Sequence, residues 1–118
     1  VVSLVAYNGL QNRAKTTAAA SAAETVAKKA EIYNTESSGY PKDLKTLMKA
    51  SSDKSYSIGT DVLTAKSEGL TDLASKPDEA NTIAYEACAD NKGARIFYWD
   101  YGTNKKQTRT VGTCPATP

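Results

Sequence analysis

Cys88 and Cys114 are the only thiols in a chain that has no histidine. An isolated cysteine pair in a small domain reads as one disulfide, which places the chain in an oxidising compartment, the periplasm or the cell exterior. Closing that loop contributes roughly 3 kcal/mol in the chain-entropy model. The alternative, a metal pair, needs two further ligands from a chain without His. The missing imidazole also removes the usual general base, and neither a P-loop nor a G-x-G-x-x-G run occurs. The neighbouring acids Asp78 and Glu79 fall in the Pro-containing stretch "SKPDEAN", where solvated loop charges are the ordinary reading. "DNKG" lacks the repeated acidic spacing and closing Glu of an EF-hand loop and reads as a hairpin turn. The expectation is a protein without catalysis, cofactor or resident metal.

Charge and aromatic residues point to surfaces instead. From residue 92 onward, Lys92, Arg95, Lys105, Lys106 and Arg109 stand against Asp100 alone, although the whole chain carries only +2. The set Lys92, Lys105, Lys106 and Arg109 is a candidate patch for a DNA backbone or an acidic cell-surface polymer. The plainer reading is a solvated turn, holding Lys105 and Lys106, whose cations keep an edge strand from aggregating. Tyr85, Phe97, Tyr98, Trp99 and Tyr101 form either a sugar- or surface-binding platform or, more ordinarily, a core strand with tyrosines at its rim.

These residues must be carried by a single domain of 118 residues with 40% apolar and 24% charged side chains, close to globular averages. Residues 3 to 34 are alanine-dense and free of proline, and predict one long helix. A narrow stripe, Leu10, Ala14, Ala18, Ala22, Val26, Ala30 and Tyr33, repeats at about helical spacing. Its side chains are mostly small, so the packing partner should supply the bulk. "NTESSGYP" stops the helix between Tyr33 and Ser38. "YPKDLKTLMKA" predicts a short helix with Leu44, Leu47 and Met48 on one side, and "SYSIGTDVLTAKSEGL" holds short strands or turns. "TIAYEACA", "ARIFYWDY" and "QTRTVGT" are strand candidates joined by "DNKG" and "GTNKK", an antiparallel meander. Alternation puts Ile83 and Tyr85 on one face, and Phe97 with Trp99 is expected to meet the helix stripe. The chain divides into a helix (1–38), a connector (39–81) and a meander (82–118). The fold class is α+β: a long N-terminal helix packed on an antiparallel sheet of three to four strands.

The opening "VVSLVAYNGLQNRAK" switches sharply after Leu10 from apolar to polar. Val1 to Leu10 is too short to cross a bilayer, which takes about 20 apolar residues. Together with the Ala-rich helix, the "GYPKDLKTLM" entry to the connector and the cysteine near the end of the meander, this junction resembles that of bacterial type IV pilins and pseudopilins. The family's processing site, the acidic residue after it and most of its apolar segment do not occur in this sequence. The resemblance therefore implies a soluble domain joined to the end of a longer helix. It implies an extracellular filament subunit that self-assembles into a helical homopolymer and is anchored in the inner membrane beforehand. The pseudopilin or minor-pilin role is the alternative, and the shortened chain itself is expected to be a monomer. Val1, Val2, Leu4, Val5 and Leu10 would contact the filament core, and Cys88–Cys114 would pin the terminal region. Gly9 would be a helix soft point there; otherwise it is a packing accommodation or precedes the helix start, since a mid-helix Gly costs about 1 kcal/mol relative to Ala. A third reading is a secreted monomeric binding module.

One geometric condition accompanies the disulfide. In a simple meander the two cysteines flank the middle strand, about 9.6 Å apart, whereas a disulfide needs Cα atoms within about 7 Å. Either the chain leaves the sheet near Thr113 or the strand order is not simple.

Overall fold

The structure, a computed structural model, describes residues 2–51, 53–59 and 62–114, with the side chains of the first helix described from residue 12 onward. Helix α1 spans Val2–Ser37, ending inside the window expected from "NTESSGYP". The stop is made by Ser38 rather than Gly39. Ser38 takes the left-handed conformation at φ 59°, and its N–H bonds the Asn34 carbonyl at 2.9 Å, an αL termination. Pro41 follows, fully buried.

The buried face of α1 differs from the expected stripe. Ala14 and Ala18 are exposed, while Ala19, Ala22, Ala23, Val26, Ala27 and Ala30 are buried. A strict step of four residues drifts around a helix of 3.6 residues per turn, whereas alternating steps of three and four hold one face.

Helix α2, Leu44–Met48, is capped by Asp43, whose carboxylate accepts the Thr46 N–H at 3.0 Å and its hydroxyl at 2.9 Å. It buries Leu44 and Leu47 as expected. Of the strands or turns expected in this stretch, the connector makes a 3-10 turn at Ala65–Gly69. The fully buried Ser67 hydroxyl accepts the Ile83 N–H at 2.9 Å, tying this turn to the entry of the sheet.

Strands β1 (Ala84–Ala87), β2 (Gly93–Asp100) and β3 (Lys105–Gly112) form an antiparallel sheet in the order β1-β2-β3. Ala84 pairs with Phe97 and Tyr85 with Ile96; Phe97 pairs with Thr108, and Gly93 with Gly112. In the first hairpin, Asp90 and Asn91 take φ 58° and 54°, the left-handed turn conformation that the "DNKG" segment suggested. Lys105 and Lys106 are not in the second turn. They open β3, opposite Asp100 and Trp99, and the turn is closed earlier by Asp100, which accepts the N–H groups of Gly102 and Thr103 at 2.9 and 3.2 Å.

The helix alanines Ala22, Ala23, Ala27 and Ala30, with Val26, pack with Ile83, Tyr85, Ala94, Ile96 and Val111. Phe97 and Trp99, expected against this stripe, instead share a second cluster with Leu73, Ala84 and Tyr101, whose helix member is Ala19. The strand parity is therefore one residue from the expectation. The bulk that the small helix stripe calls for comes from Tyr85 and from the connector's Leu44, Leu47, Ile58 and Leu63, which leaves the larger aromatics to the opposite face. Both are nevertheless core residues, each 8% exposed.

Candidate functional site

Cys88 and Cys114 are joined, with Cα atoms 5.3 Å apart. The strand order is the simple one, so the chain must turn off the sheet, and it does so at Gly112. This residue has φ +66°, and the next N–H, of Thr113, bonds the Lys92 carbonyl at 2.9 Å. The terminal segment passes close to the end of β2 because Gly93 has no side chain: a Cβ there would lie 2.6 Å from the Thr113 and Val111 carbonyl oxygens. Two glycines whose backbone geometry the linkage requires thus accompany the two cysteines. The Tyr40 N–H, just past the end of α1, bonds the Asn91 carbonyl at 2.8 Å, so the disulfide lies at the C-terminal end of the helix.

The basic residues are dispersed. Lys92 and Lys105 sit at opposite ends of the sheet, beside Gly93 and Asp100, separated by the length of β2, about 23 Å at 3.3 Å per residue. Lys106 is paired with Asp72 and lies 4.6 Å from the centroid of the Phe97 ring. Arg109 pairs with Glu24 of α1 at 3.3 Å. Two of the four cations are thereby spent on intramolecular contacts, and the four do not converge on one surface.

At the other end of the sheet, Thr16 of α1 meets the β2–β3 turn. Its hydroxyl accepts the Tyr101 N–H at 2.8 Å, and the Tyr101 hydroxyl donates to the Pro77 carbonyl at 3.0 Å. Tyr101, one of the candidate platform aromatics, is buried. Burial raises its pKa, aided by Asp78. Tyr85 is buried on the helix side and donates to the Pro41 carbonyl at 2.5 Å; desolvation pushes its phenol far above the usual range. Asp72 is held below the usual carboxylate range by its hydrogen bond to Lys106, and Asp100 chiefly by the Thr103 N–H.

Val1, proposed for a filament core, lies outside the described residues, as do the side chains of Val2, Leu4, Val5 and Leu10. The α1 backbone runs unbroken through Gly9, so the helix does not begin after it. Among the described residues no three Cys, Asp or Glu side chains gather as metal ligands, and no helix is long and apolar enough to cross a membrane.

The roles of Thr16, Ser67, Gly93 and Gly112 were not read from the sequence. Each acts through backbone groups brought near by the tertiary fold, and none lies in a local pattern that signals it.

A long N-terminal helix on a three-stranded antiparallel sheet, with a disulfide near the C-terminus, is a pilin-like α+β architecture. Comparison with protein-family models, with curated proteins and with solved structures gives no significant match.

Proposed function

We propose that the chain is a structural subunit of an extracellular type IV pilus-like filament, without catalysis or cofactor. The observation that carries this reading is the unequal use of α1. Its 36 residues span about 54 Å at 1.5 Å per residue, close to the 55 Å long dimension of the molecule. Asn12 to Lys15 are exposed, and burial begins only at Thr16 to Ala19. The sheet therefore grips the C-terminal half of the helix, and the disulfide ties off the end of the sheet beside that same half. The exposed residues Asn12 to Lys15 would then face neighbouring subunits.

In this reading an apolar helical segment continuous with α1 holds the subunit in the inner membrane and later packs among its counterparts, at roughly 25 cal/mol per Å² buried. The globular part sets subunit spacing and the outer surface, and the assembled fibre serves adhesion, motility or DNA uptake.

The test is the genomic sequence upstream of Val1, followed by expression of the full-length gene and analysis of sheared cell-surface material. A basic leader, a small residue at the cleavage site and about 20 apolar residues, with the protein dominating the sheared fraction, is the expected result. The same leader with the protein a trace component would assign it to a pseudopilin or minor pilin. A conventional cleaved signal and a monomeric secreted product would replace the filament reading with a binding module.

A further inference from the structure

Among the described residues, β3 has a neighbouring strand on one side only. It is eight residues long, and neither a proline nor a break interrupts its pairing with β2. Its outer edge is therefore a straight template for another strand. Two backbone bonds fix which groups line that edge. The Thr113 N–H bonds the Lys92 carbonyl and the Cys88 N–H bonds the Gly93 carbonyl, both at 2.9 Å. Bonding residues alternate along an antiparallel ladder, so Lys105, Gln107, Arg109 and Val111 turn their backbone groups to β2. Those of Lys106, Thr108 and Thr110 point outward, and the side chains of these three residues are exposed as well.

A second copy paired antiparallel along this edge has few registers, each defined by the residue on the two-fold axis. An axis at Lys105, Lys106 or Arg109 sets that cation opposite its own copy. An axis at Gln107 sets Lys105 opposite Arg109. Like charges directly opposite destabilise a strand pair. An axis at Thr110 or beyond leaves at most residues 108–112 paired, because β3 ends at Gly112. An axis at Thr108 pairs residues 105–111. Thr108 then meets Thr108, Lys106 meets Thr110, Gln107 meets Arg109, and Lys105 meets Val111, with no like charges opposite. The two Arg109 side chains are only diagonal neighbours, and each is already paired with its own Glu24 at 3.3 Å. The cations that bar the other registers thus admit this one.

We infer that β3 is a self-pairing edge, and that two copies of the chain join there about Thr108, merging their three-stranded sheets into one. The helices leave room for it. Helix α1 packs over β2 and β3, on Ala94, Ile96 and Val111, so the two copies of α1 lie two to three strand spacings apart. That is about 10–14 Å, no closer than packed helices. The assembly closes at two, because the opposite edge is short and partly taken: β1 has four residues, and the Tyr85 N–H bonds the Leu70 carbonyl at 3.1 Å. The two-fold axis points the two helices in opposite directions, whereas subunits of a polar fibre share one direction. The dimer is a state of chains outside the filament and does not rest on the filament reading.

The experiment is sedimentation equilibrium of the 118-residue chain from micromolar to millimolar concentration, with amide hydrogen exchange at both extremes. The expected result is a monomer–dimer equilibrium in which the Lys106, Thr108 and Thr110 amides gain protection as concentration rises. Thr108→Lys, which sets two ammonium groups opposite each other, should weaken the dimer about fivefold or more. Thr110→Glu, which faces Lys106 of the other copy twice, should strengthen it about threefold or more. Both positions are exposed, and circular dichroism checks that both variants fold. A chain that stays monomeric at millimolar concentration overturns the proposal, as do assemblies larger than two or a dimer indifferent to both substitutions. Protection of these amides at every concentration also overturns it, by showing that a segment of the same chain covers the edge.

Discussion

The Thr16 hydroxyl accepts the Tyr101 N–H at 2.8 Å and lies 3.4 Å from a carboxylate oxygen of Asp100. A single side chain on α1 thus holds a turn 85 residues away in sequence, at the point where the helix passes from exposed to buried. The Lys15 ammonium, 5.5 Å from the Tyr101 ring centroid, adds a second contact at the same place. This clamp fastens one end of the sheet to the helix, and the Cys88–Cys114 disulfide closes the opposite end of the sheet.

Replacing Thr16 by Val keeps the shape and removes the acceptor. The Tyr101 N–H then loses its partner in a part-buried site, at a cost of about 1–2 kcal/mol. Urea denaturation should show that loss, and hydrogen exchange should speed up at Tyr101 while the β1 amides keep their rates relative to global unfolding. Thr16→Ser, which retains the oxygen, should recover most of the stability. A serine variant as unstable as the valine variant would show that the methyl group, not the hydroxyl, carries the contact.

The opposite fastening has a larger expected effect. The 26-residue separation of Cys88 and Cys114 corresponds to about 3.5 kcal/mol of loop-closure entropy in the unfolded chain. The double Ser variant, and the wild-type chain under reducing conditions, should lose comparable stability in chemical denaturation. Early proteolysis should release fragments cut after Gly112, since Thr113 and Cys114 depend on the linkage and on one backbone hydrogen bond.

The difference between these two fastenings explains what the sequence revealed. The cysteines were legible because thiols are scarce and their pairing is chemically specific. The long helix, the short helix at Leu44 to Met48 and the three-strand meander were legible from propensity and local periodicity. The parity of β2 was not. Ile96, Phe97, Tyr98 and Trp99 form an unbroken apolar run, and alternation within it does not say which pair meets the helix. That choice depended on the connector, whose leucines fill the helix side. Thr16 was hidden for a similar reason: a threonine in a helix has no local feature announcing a bond to a distant turn. Spatial dispersal likewise undid the basic patch, since Lys106 and Arg109 are neighbours in sequence but answer to acids on different elements.

Gly112 offers a sharper test of the terminal crossing. At φ +66°, a Cβ would strain the backbone and also lie 2.5 Å from both the Lys92 carbonyl oxygen and a Tyr40 ring carbon. Gly112→Ala should cost at least about 1–3 kcal/mol, the scale of an L-residue forced into this region. Gly69→Ala is the control, because nothing lies within 4 Å of the new methyl. Thermal unfolding should place Gly69→Ala near wild type and Gly112→Ala well below it. Equal melting temperatures for the two variants would mean that the chain can leave the sheet without this conformation.

The depressed carboxyls of Asp72 and Asp100 predict a defined acid response. Asp72 is lowered first by its Lys106 hydrogen bond and Asp100 first by the Thr103 N–H. A folded-state pKa below the unfolded value stabilises the fold above the unfolded pKa, about 3.9 for Asp. That contribution disappears as pH falls through the folded values, so the window lies below about pH 4. Asp72 is 59% exposed at its side chain, so solvent screening keeps its share below about 1 kcal/mol. Carboxyl carbon NMR titration separates the two causes. Lys106→Met should return Asp72 to the ordinary range and leave Asp100 depressed. Added salt should raise Asp72 more than Asp100, because screening weakens the charge pair while the turn N–H groups stay in place. An Asp72 titration unchanged by Lys106→Met would assign its shift to the Leu73 N–H, which also bonds this carboxylate at 2.9 Å, and would remove Lys106 as the link between connector and sheet.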